Sequence, residues 1–168
     1  MAARSNYDVV VKALDHTAAL VLYARQWCAS PEDVVQEAFV KLAAQHPLPT
    51  EIVPWLYRVV RNAALSALRA ERRRRHHEAR AAATAPAWFV PSEGDGLDAE
   101  AATRALQALP LEQREVLIAR LWGGLTFEQV GALTGLSASA AHRHYHAGLA
   151  ALRERLHVPC PNPSPTQG

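Results

Sequence analysis

Residues 126–149, with the sequence TFEQVGALTGLSASAAHRHYHAGL, decide how the second half of this chain folds. Thr126 and Gln129 have the spacing of a capping box, in which each side chain satisfies a free backbone N–H group of the other residue, so a short helix begins here. Gly135 supplies a turn, and Ser137 can cap a second, longer helix. A short capped helix, a glycine turn and a second capped helix predict a helix-turn-helix unit.

The second helix of this unit has two contrasting faces. Its apolar residues recur at helical spacing and form a stripe that we expect to be buried: Ala141, Tyr145, Leu149 and Leu152. The outer face carries four polar residues: Ser139, His142, Arg143 and His146. A helix with such a face can enter the major groove of DNA and reach base edges. The alternative is an ordinary helical hairpin whose polar side chains face solvent.

Enzyme chemistry has little support in the sequence. His142 and His146 are four residues apart with His144 between them, a spacing that could hold a metal ion, as a metal-dependent nuclease would require. However, no glutamate follows His142 directly and no third ligand is evident, so we expect no metal site. We also find no nucleophile beside a base and no glycine-rich phosphate loop, so we expect no catalytic residues and no cofactor.

The whole chain is predicted to be all-α. Alanine is frequent, and no run of alternating β-branched residues lies between turn signals. Before the helix-turn-helix unit, helical spacing predicts helices over residues 6–28, 31–44, 54 to the arginine cluster, 98–108 and 111–122. Ser30 and Pro31 are a strong start signal for the second of these helices.

Proline and glycine divide the chain into two small domains joined by a flexible linker. The predicted organisation is a helical domain over 1–83, a linker over 84–97, a helix-turn-helix domain over 98–157 and a disordered tail over 158–168. Trp88 and Phe89 are unusual in such a linker, and they either pack onto one of the domains or offer an apolar contact to a partner.

Composition narrows the class of protein. The chain has 168 residues and a net charge of +2, with an excess of four positive charges in residues 1–83 and of two negative charges in 84–168. Cys28 and Cys160 lie far apart without a CxxC partner, so neither a disulfide framework nor a zinc ribbon is expected. No apolar run is long enough to cross a membrane and the N-terminus lacks a signal pattern, so we expect a cytoplasmic protein.

The predicted helix that starts near Pro54 is amphipathic in an unusual way. One face is apolar: Leu56, Val59, Val60, Ala63 and Ala67. The opposite face is mostly basic, with Asn62 beside it: Arg58, Arg61, Leu65, Arg69, Arg72 and His76. Because the basic residues extend over several turns, they indicate a nucleic-acid partner rather than a solvated helix end.

Four segments in order resemble one protein family. They are Asp33–Phe39 (DVVQEAF), Trp55–Asn62 (WLYRVVRN), Leu109–Val116 (LPLEQREV) and Leu125–Val130 (LTFEQV). The first two are similar to region 2, and the last two to region 4, of bacterial RNA polymerase sigma factors of the sigma-70 type. With the linker between them, the chain resembles the small two-domain extracytoplasmic-function (ECF) group.

The resemblance implies a non-catalytic, dissociable initiation subunit that gives RNA polymerase its promoter specificity. Its partners would be core RNA polymerase, double-stranded promoter DNA, the melted −10 strand and, where one exists, an anti-sigma factor. The polymerase-binding residues would be Asp33, Gln36 and Glu37. The −10 region would meet Arg58, Arg61, Asn62, Arg69 and Arg72, and the −35 region would meet Ser139, His142, Arg143 and His146. The alternative is a stand-alone helix-turn-helix transcriptional regulator whose first half dimerises or senses a signal.

Overall fold

The structure is a computed structural model that describes residues 2–77 and 96–156, with side chains from 8 to 76 and from 101 to 156. Within these ranges every regular element is helical, which confirms the all-α prediction. The α-helices are α1 (Ala2–Ala13), α2 (Thr17–Ala24), α3 (Pro31–Ala44), α4 (Ile52–His77), α5 (Gly96–Gln107), α6 (Leu111–Leu121), α7 (Phe127–Thr134) and α8 (Ala138–Leu156). None of the described helices combines the length and the apolar character that a membrane crossing requires. Trp88, Phe89, Cys160 and the predicted tail lie outside the described residues.

The predicted first helix is interrupted. A 3-10 turn at Leu14–His16 separates α1 from α2. The Thr17 hydroxyl donates a hydrogen bond of 2.6 Å to the Leu14 carbonyl oxygen, so a side chain competes locally with the helical hydrogen-bond pattern. The prediction of one continuous helix over 6–28 was therefore wrong.

The first half packs α2, α3 and α4 around a shared apolar core. Its fully buried side chains include Leu20, Tyr23, Val35, Leu42 and Leu56. Pro31 occupies the first turn of α3, as its fixed φ angle favours. Ser30 precedes it but makes no side-chain capping bond, so that detail of the prediction was wrong.

The helix-turn-helix prediction is confirmed in its local chemistry. The capping box joins Thr126 and Gln129 through bonds of 2.9 and 3.2 Å. Gly135 ends α7 in the left-handed region with φ of 79°, and the Ser137 hydroxyl oxygen accepts from the third backbone N–H that follows it. A Cβ atom on Gly131 would lie 2.6 Å from the Leu136 carbonyl oxygen, so this close helix crossing requires glycine.

The two halves share one continuous hydrophobic core. The cluster that starts around Leu20 and Tyr23 extends through Val116 and Ile118 of α6 into α7 and α8. At this junction a Cβ atom on Gly123 would lie 2.7 Å from the Tyr57 ring, so glycine allows α4 and the end of α6 to approach. The halves are therefore held together by packing as well as by the covalent chain.

Candidate nucleic-acid interface

The outer face of α8 carries all four residues that sequence analysis assigned to −35 DNA. Ser139, His142, Arg143 and His146 are exposed, while Ala141 on the opposite side is fully buried. The His142 ring meets the edge of Phe127 with centroids 5.0 Å apart. The polar face of α8 is therefore directed toward solvent, which is the geometry that base-edge contacts need.

The basic face of α4 is only partly free. Arg58, Asn62, Arg69 and Arg72 are exposed, as predicted. The side chain of Arg61 is only 24% exposed, because it is directed toward α6. Five residues were predicted to share one surface, and the structure brings four of them together there.

The buried face of α4 is rotated from its predicted position. Leu56 and Val60 are fully buried as expected, but Tyr57 and Ala64 are buried equally well. Val59, Ala63 and Ala67 are only half-buried, so the predicted stripe was shifted by about one residue. The cause is the second half of the chain, since α6 and the glycine after it cover the Tyr57 side of α4.

Glu115 lies at the centre of the contact between the halves. The Nε atom of Arg61 and the hydroxyl of Tyr23 both donate to its Oε1 atom, at 2.6 and 2.7 Å. Glu115 is only 5% exposed, and a carboxylate at such depth needs paired donors. Burial raises the pKa of Tyr23, and the nearby Glu115 carboxylate raises it further.

Sequence reasoning did not assign Glu115 a role, although a signal existed. Glu115 lies three and four residues before Ile118 and Ala119, and so shares their apolar helix face. A carboxylate on a buried face predicts a partner cation elsewhere in the fold. The sequence alone did not say which arginine would be that cation.

Two more polar contacts join the halves around this centre. Gln129 Nε2 donates to Glu51 Oε1 at 2.6 Å, which connects the loop before α4 to the start of α7. Arg114 Nε donates to Gln26 Oε1 at 3.3 Å. The loop over 45–53 is therefore in contact with the helix-turn-helix unit.

The residues assigned to polymerase lie on α3. Asp33, Gln36 and Glu37 are all exposed, and Glu37 forms an ion pair of 2.8 Å with Lys41. A groove of about 490 Å³ between α3 and α4 has Glu37 and Lys41 on one wall and Asn62 on the other. The acidic set on α3 and the −10 set on α4 are thus neighbours on one surface.

The arginine run at the end of α4 carries less free charge than its sequence suggests. Glu71 forms ion pairs with both Arg74 and Arg75. Arg72 and Arg73 are exposed and form no ion pair with the residues that the structure describes. Arg72 and Arg73 are therefore the members of the run that are best placed to meet a polyanion.

Two side-chain observations bear on metal binding and thiol chemistry in the described ranges. No group of three or more His, Cys, Asp or Glu residues in the described part of the chain is arranged to hold a metal ion. Burial raises the pKa of the Cys28 thiol, which disfavours the reactive thiolate.

Comparison with known proteins agrees with this geometry. Residues 14–74 match the model for Sigma-70 region 2, and residues 99–152 match that for Sigma-70, region 4. The RNA polymerase sigma factor CarQ of Myxococcus xanthus is 33% identical over 131 residues, which cover 76% of this chain and 75% of CarQ. The probable RNA polymerase sigma factor RfaY of Xanthomonas campestris pv. campestris is 32% identical over 160 residues, or 89% of this chain and 40% of RfaY.

Two solved structures share the fold. The sigma factor RpoE of Bartonella quintana, in complex with the anti-sigma factor NepR, aligns with a TM-score of 0.70 and 23% identity over 90% of this chain and 98% of RpoE. CnrH, in complex with the cytosolic domain of CnrY, aligns with a TM-score of 0.56 and 21% identity over 92% of this chain and 88% of CnrH. With both regions matched in order, and a full-fold likeness to such proteins, the chain belongs to the sigma-70 family of RNA polymerase sigma factors, in its extracytoplasmic-function group.

Proposed function

We propose a division of labour within this promoter-specificity subunit of RNA polymerase. Residues 1–83 form the domain that docks on the polymerase and engages the −10 element, and residues 98–157 form the domain that reads the −35 element. The linker over 84–97 joins them, and residues 158–168 form a tail. The observation that carries the proposal is the exposed polar face of α8, presented by a helix-turn-helix unit.

In the −35 step, α8 acts as the recognition helix. Arg143 is exposed and makes no hydrogen bond or ion pair with the described residues, so its guanidinium group is available to a base or a phosphate. A guanidinium can donate two hydrogen bonds to the major-groove edge of guanine, which makes Arg143 the main base reader of this face. Ser139, His142 and His146 complete the contact with hydroxyl and imidazole groups that can donate or accept hydrogen bonds.

In the −10 step, the exposed arginines of α4 follow the DNA backbone. Arg58, Arg69 and Arg72 lie on one helix face, so they can neutralise successive phosphates while Asn62 reaches toward the bases. Arg61 donates its Nε–H to Glu115 at the contact between the halves, so this arginine is turned away from the exposed arginines of α4.

The acidic face of α3 is the proposed polymerase contact. Asp33 and Glu37 are one helical turn apart and exposed, so they present two carboxylates to a basic surface on the polymerase. The sigma factor RpoE of Bartonella quintana was solved in complex with the anti-sigma factor NepR, which supports the proposal that an anti-sigma factor regulates this chain too. We further propose that the protein acts in the cytoplasm and performs no catalysis itself.

The decisive experiment combines binding with transcription. Purified full-length chain should co-sediment with core RNA polymerase without DNA, and should direct it to a discrete set of promoters in a genomic library. Replacing Asp33→Lys together with Glu37→Lys should abolish co-sedimentation while the far-UV circular dichroism stays unchanged. The matched control is Asp15→Lys, an exposed charge reversal outside α3 that should leave binding intact. Sequence-specific DNA binding without any affinity for polymerase would support a stand-alone regulator instead.

A further inference from the structure

The histidines on α8 form an unusually close pair. The Nε2 atoms of His142 and His146 lie 3.0 Å apart, and the ring centroids are 4.2 Å apart. Both side chains are exposed, so the two nitrogens face solvent together. This distance suits an N–H···N hydrogen bond between the two rings, in which one Nε2 donates and the other accepts.

The same distance fits a shared metal ion. Imidazole nitrogens bind first-row divalent metals at roughly 2.0–2.1 Å. Two such bonds with their nitrogens 3.0 Å apart enclose an angle of about 94° at the metal, close to the right angle between neighbouring ligands in octahedral and square-planar sites. We propose that His142 and His146 form a two-histidine site for a divalent transition-metal ion, with Ni²⁺ and Cu²⁺ as the fitting ions.

The neighbouring rings hold this pair in place. Phe127 of α7 lies edge-on to His142, and Tyr145 lies edge-on to His146 at a centroid distance of 5.3 Å. The α-helix fixes the spacing of the two Cβ atoms, so little side-chain freedom is lost when a metal binds. Water fills the remaining coordination positions, because the described residues offer no third ligand from His, Cys, Asp or Glu. The sequence predicted no metal site because no third ligand was evident, whereas the proposed site has only two protein ligands.

A bound ion would act on promoter recognition, and this consequence rests on the proposed role of α8 in −35 reading. A metal bond uses the Nε2 lone pair of each ring, so neither nitrogen remains free to meet a base edge. Metal and −35 DNA therefore compete for His142 and His146. The affinity for the −35 element should fall as the metal concentration rises.

The binding test uses the full-length chain with Cys160→Ser as background, so that this thiol does not add a ligand. Calorimetric titration with NiCl₂ or CuCl₂ should show one ion per chain for the parent. His142→Gln and His146→Gln should each weaken binding at least tenfold. His144→Gln is the matched control, because it removes a histidine from the same turn of α8 without touching the pair, and it should change the affinity less than twofold. Equal weakening by all three variants, or unchanged binding in the first two, would overturn the proposed site.

A second readout separates the metal site from the DNA role. Holoenzyme binding to a promoter fragment should weaken on adding Ni²⁺, and the His142→Gln/His146→Gln double variant should lose this response. If metal binds but does not change the affinity for the −35 element, the metal site is confirmed. The proposed competition with DNA is then wrong, and so are the base contacts proposed for the two histidines. If the parent binds no metal but the double variant binds the −35 element more weakly, the metal site is wrong. The proposed function is then still supported.

Discussion

Tyr23 and Glu115 lie 92 residues apart in the chain and meet in the protein interior, where the tyrosine hydroxyl donates a 2.7 Å hydrogen bond to the carboxylate. Arg61 donates to the same oxygen atom from the other side. One buried carboxylate therefore ties α2 and α4 of the first half to α6 of the second. This arrangement links the stability of the chain to the availability of a predicted DNA-binding residue.

Removing the Tyr23 hydroxyl should destabilise the fold. Tyr23→Phe leaves the buried carboxylate with one donor fewer, and a hydrogen bond to a charged group contributes about 1.5–3 kcal/mol. Tyr57→Phe is the matched control, because the Tyr57 hydroxyl is also buried but has no hydrogen-bond partner among the described residues. Urea unfolding should show a clear decrease in the free energy of unfolding for Tyr23→Phe and no decrease for Tyr57→Phe. If both variants lose the same free energy of unfolding, the hydrogen bond from Tyr23 to Glu115 makes no specific contribution to stability.

Alkaline pH should weaken the fold through the same tyrosines. Burial raises the pKa of both Tyr23 and Tyr57 above the ordinary tyrosine value. A group whose pKa is higher in the folded chain contributes stability below its unfolded pKa of about 10, and this stability is lost as the pH rises toward the folded value. The free energy of unfolding should therefore fall above about pH 10, and the Tyr23→Phe/Tyr57→Phe variant should show a smaller fall. Identical pH profiles for the parent and the double variant would contradict this assignment.

Arg61 and Arg58 should differ in what they contribute to stability. Arg61→Gln removes the cation from buried Glu115, so we expect a loss of about 1.5–3 kcal/mol in the free energy of unfolding. Arg58→Gln changes an exposed residue one turn earlier and should stay within about 0.5 kcal/mol of the parent. Thermal and urea unfolding of the two variants measure this difference. A stable Arg61→Gln protein would show that the ion pair is not needed for the contact between the halves.

The exposed arginines of α4 should set the salt dependence of promoter binding. Replacing Arg58 and Arg69 by Gln should reduce the slope of log affinity against log salt by about 0.9 for each phosphate contact that is lost. Arg74→Gln is the control, because Arg74 is ion-paired with Glu71 and lies on the opposite side of the helix. Holoenzyme binding measured over a series of salt concentrations tests the prediction. The preferred −35 sequence should stay the same, and a change in it would indicate base reading by α4.

Arg143 should carry most of the base discrimination of α8. Arg143→Gln should reduce the preference for the native −35 sequence by about 1–3 kcal/mol, the range of one bidentate arginine–guanine contact. Arg153→Gln, on the same helix but near its C-terminal end, is the matched control and should have no such effect. Competition between promoter fragments with single −35 substitutions gives the readout. A uniform loss of affinity across all sequences would assign Arg143 to phosphate contact.

The sequence by itself determined the features that depend on neighbours in the chain. The capping box of Thr126 and Gln129, the left-handed Gly135 and the cap at Ser137 all involve residues within a few positions of each other, and each was predicted and then found. The exposed face of α8 follows in the same way, because helical periodicity alone separates Arg143 from Ala141. The order of the sigma-like segments likewise identified the family before any tertiary contact was known.

Only the tertiary structure decided which polar residues are partners. Helical spacing placed Arg61 on the same face as Arg58, but Glu115, 54 residues further along, draws it to the junction between the halves. Tyr57 was not predicted to be buried, because the glycine and helix that cover it belong to the second half. Hydrogen bonds within a turn are fixed by local spacing, whereas the burial of a charge depends on which surfaces meet, and that choice is made by the packing of the whole chain.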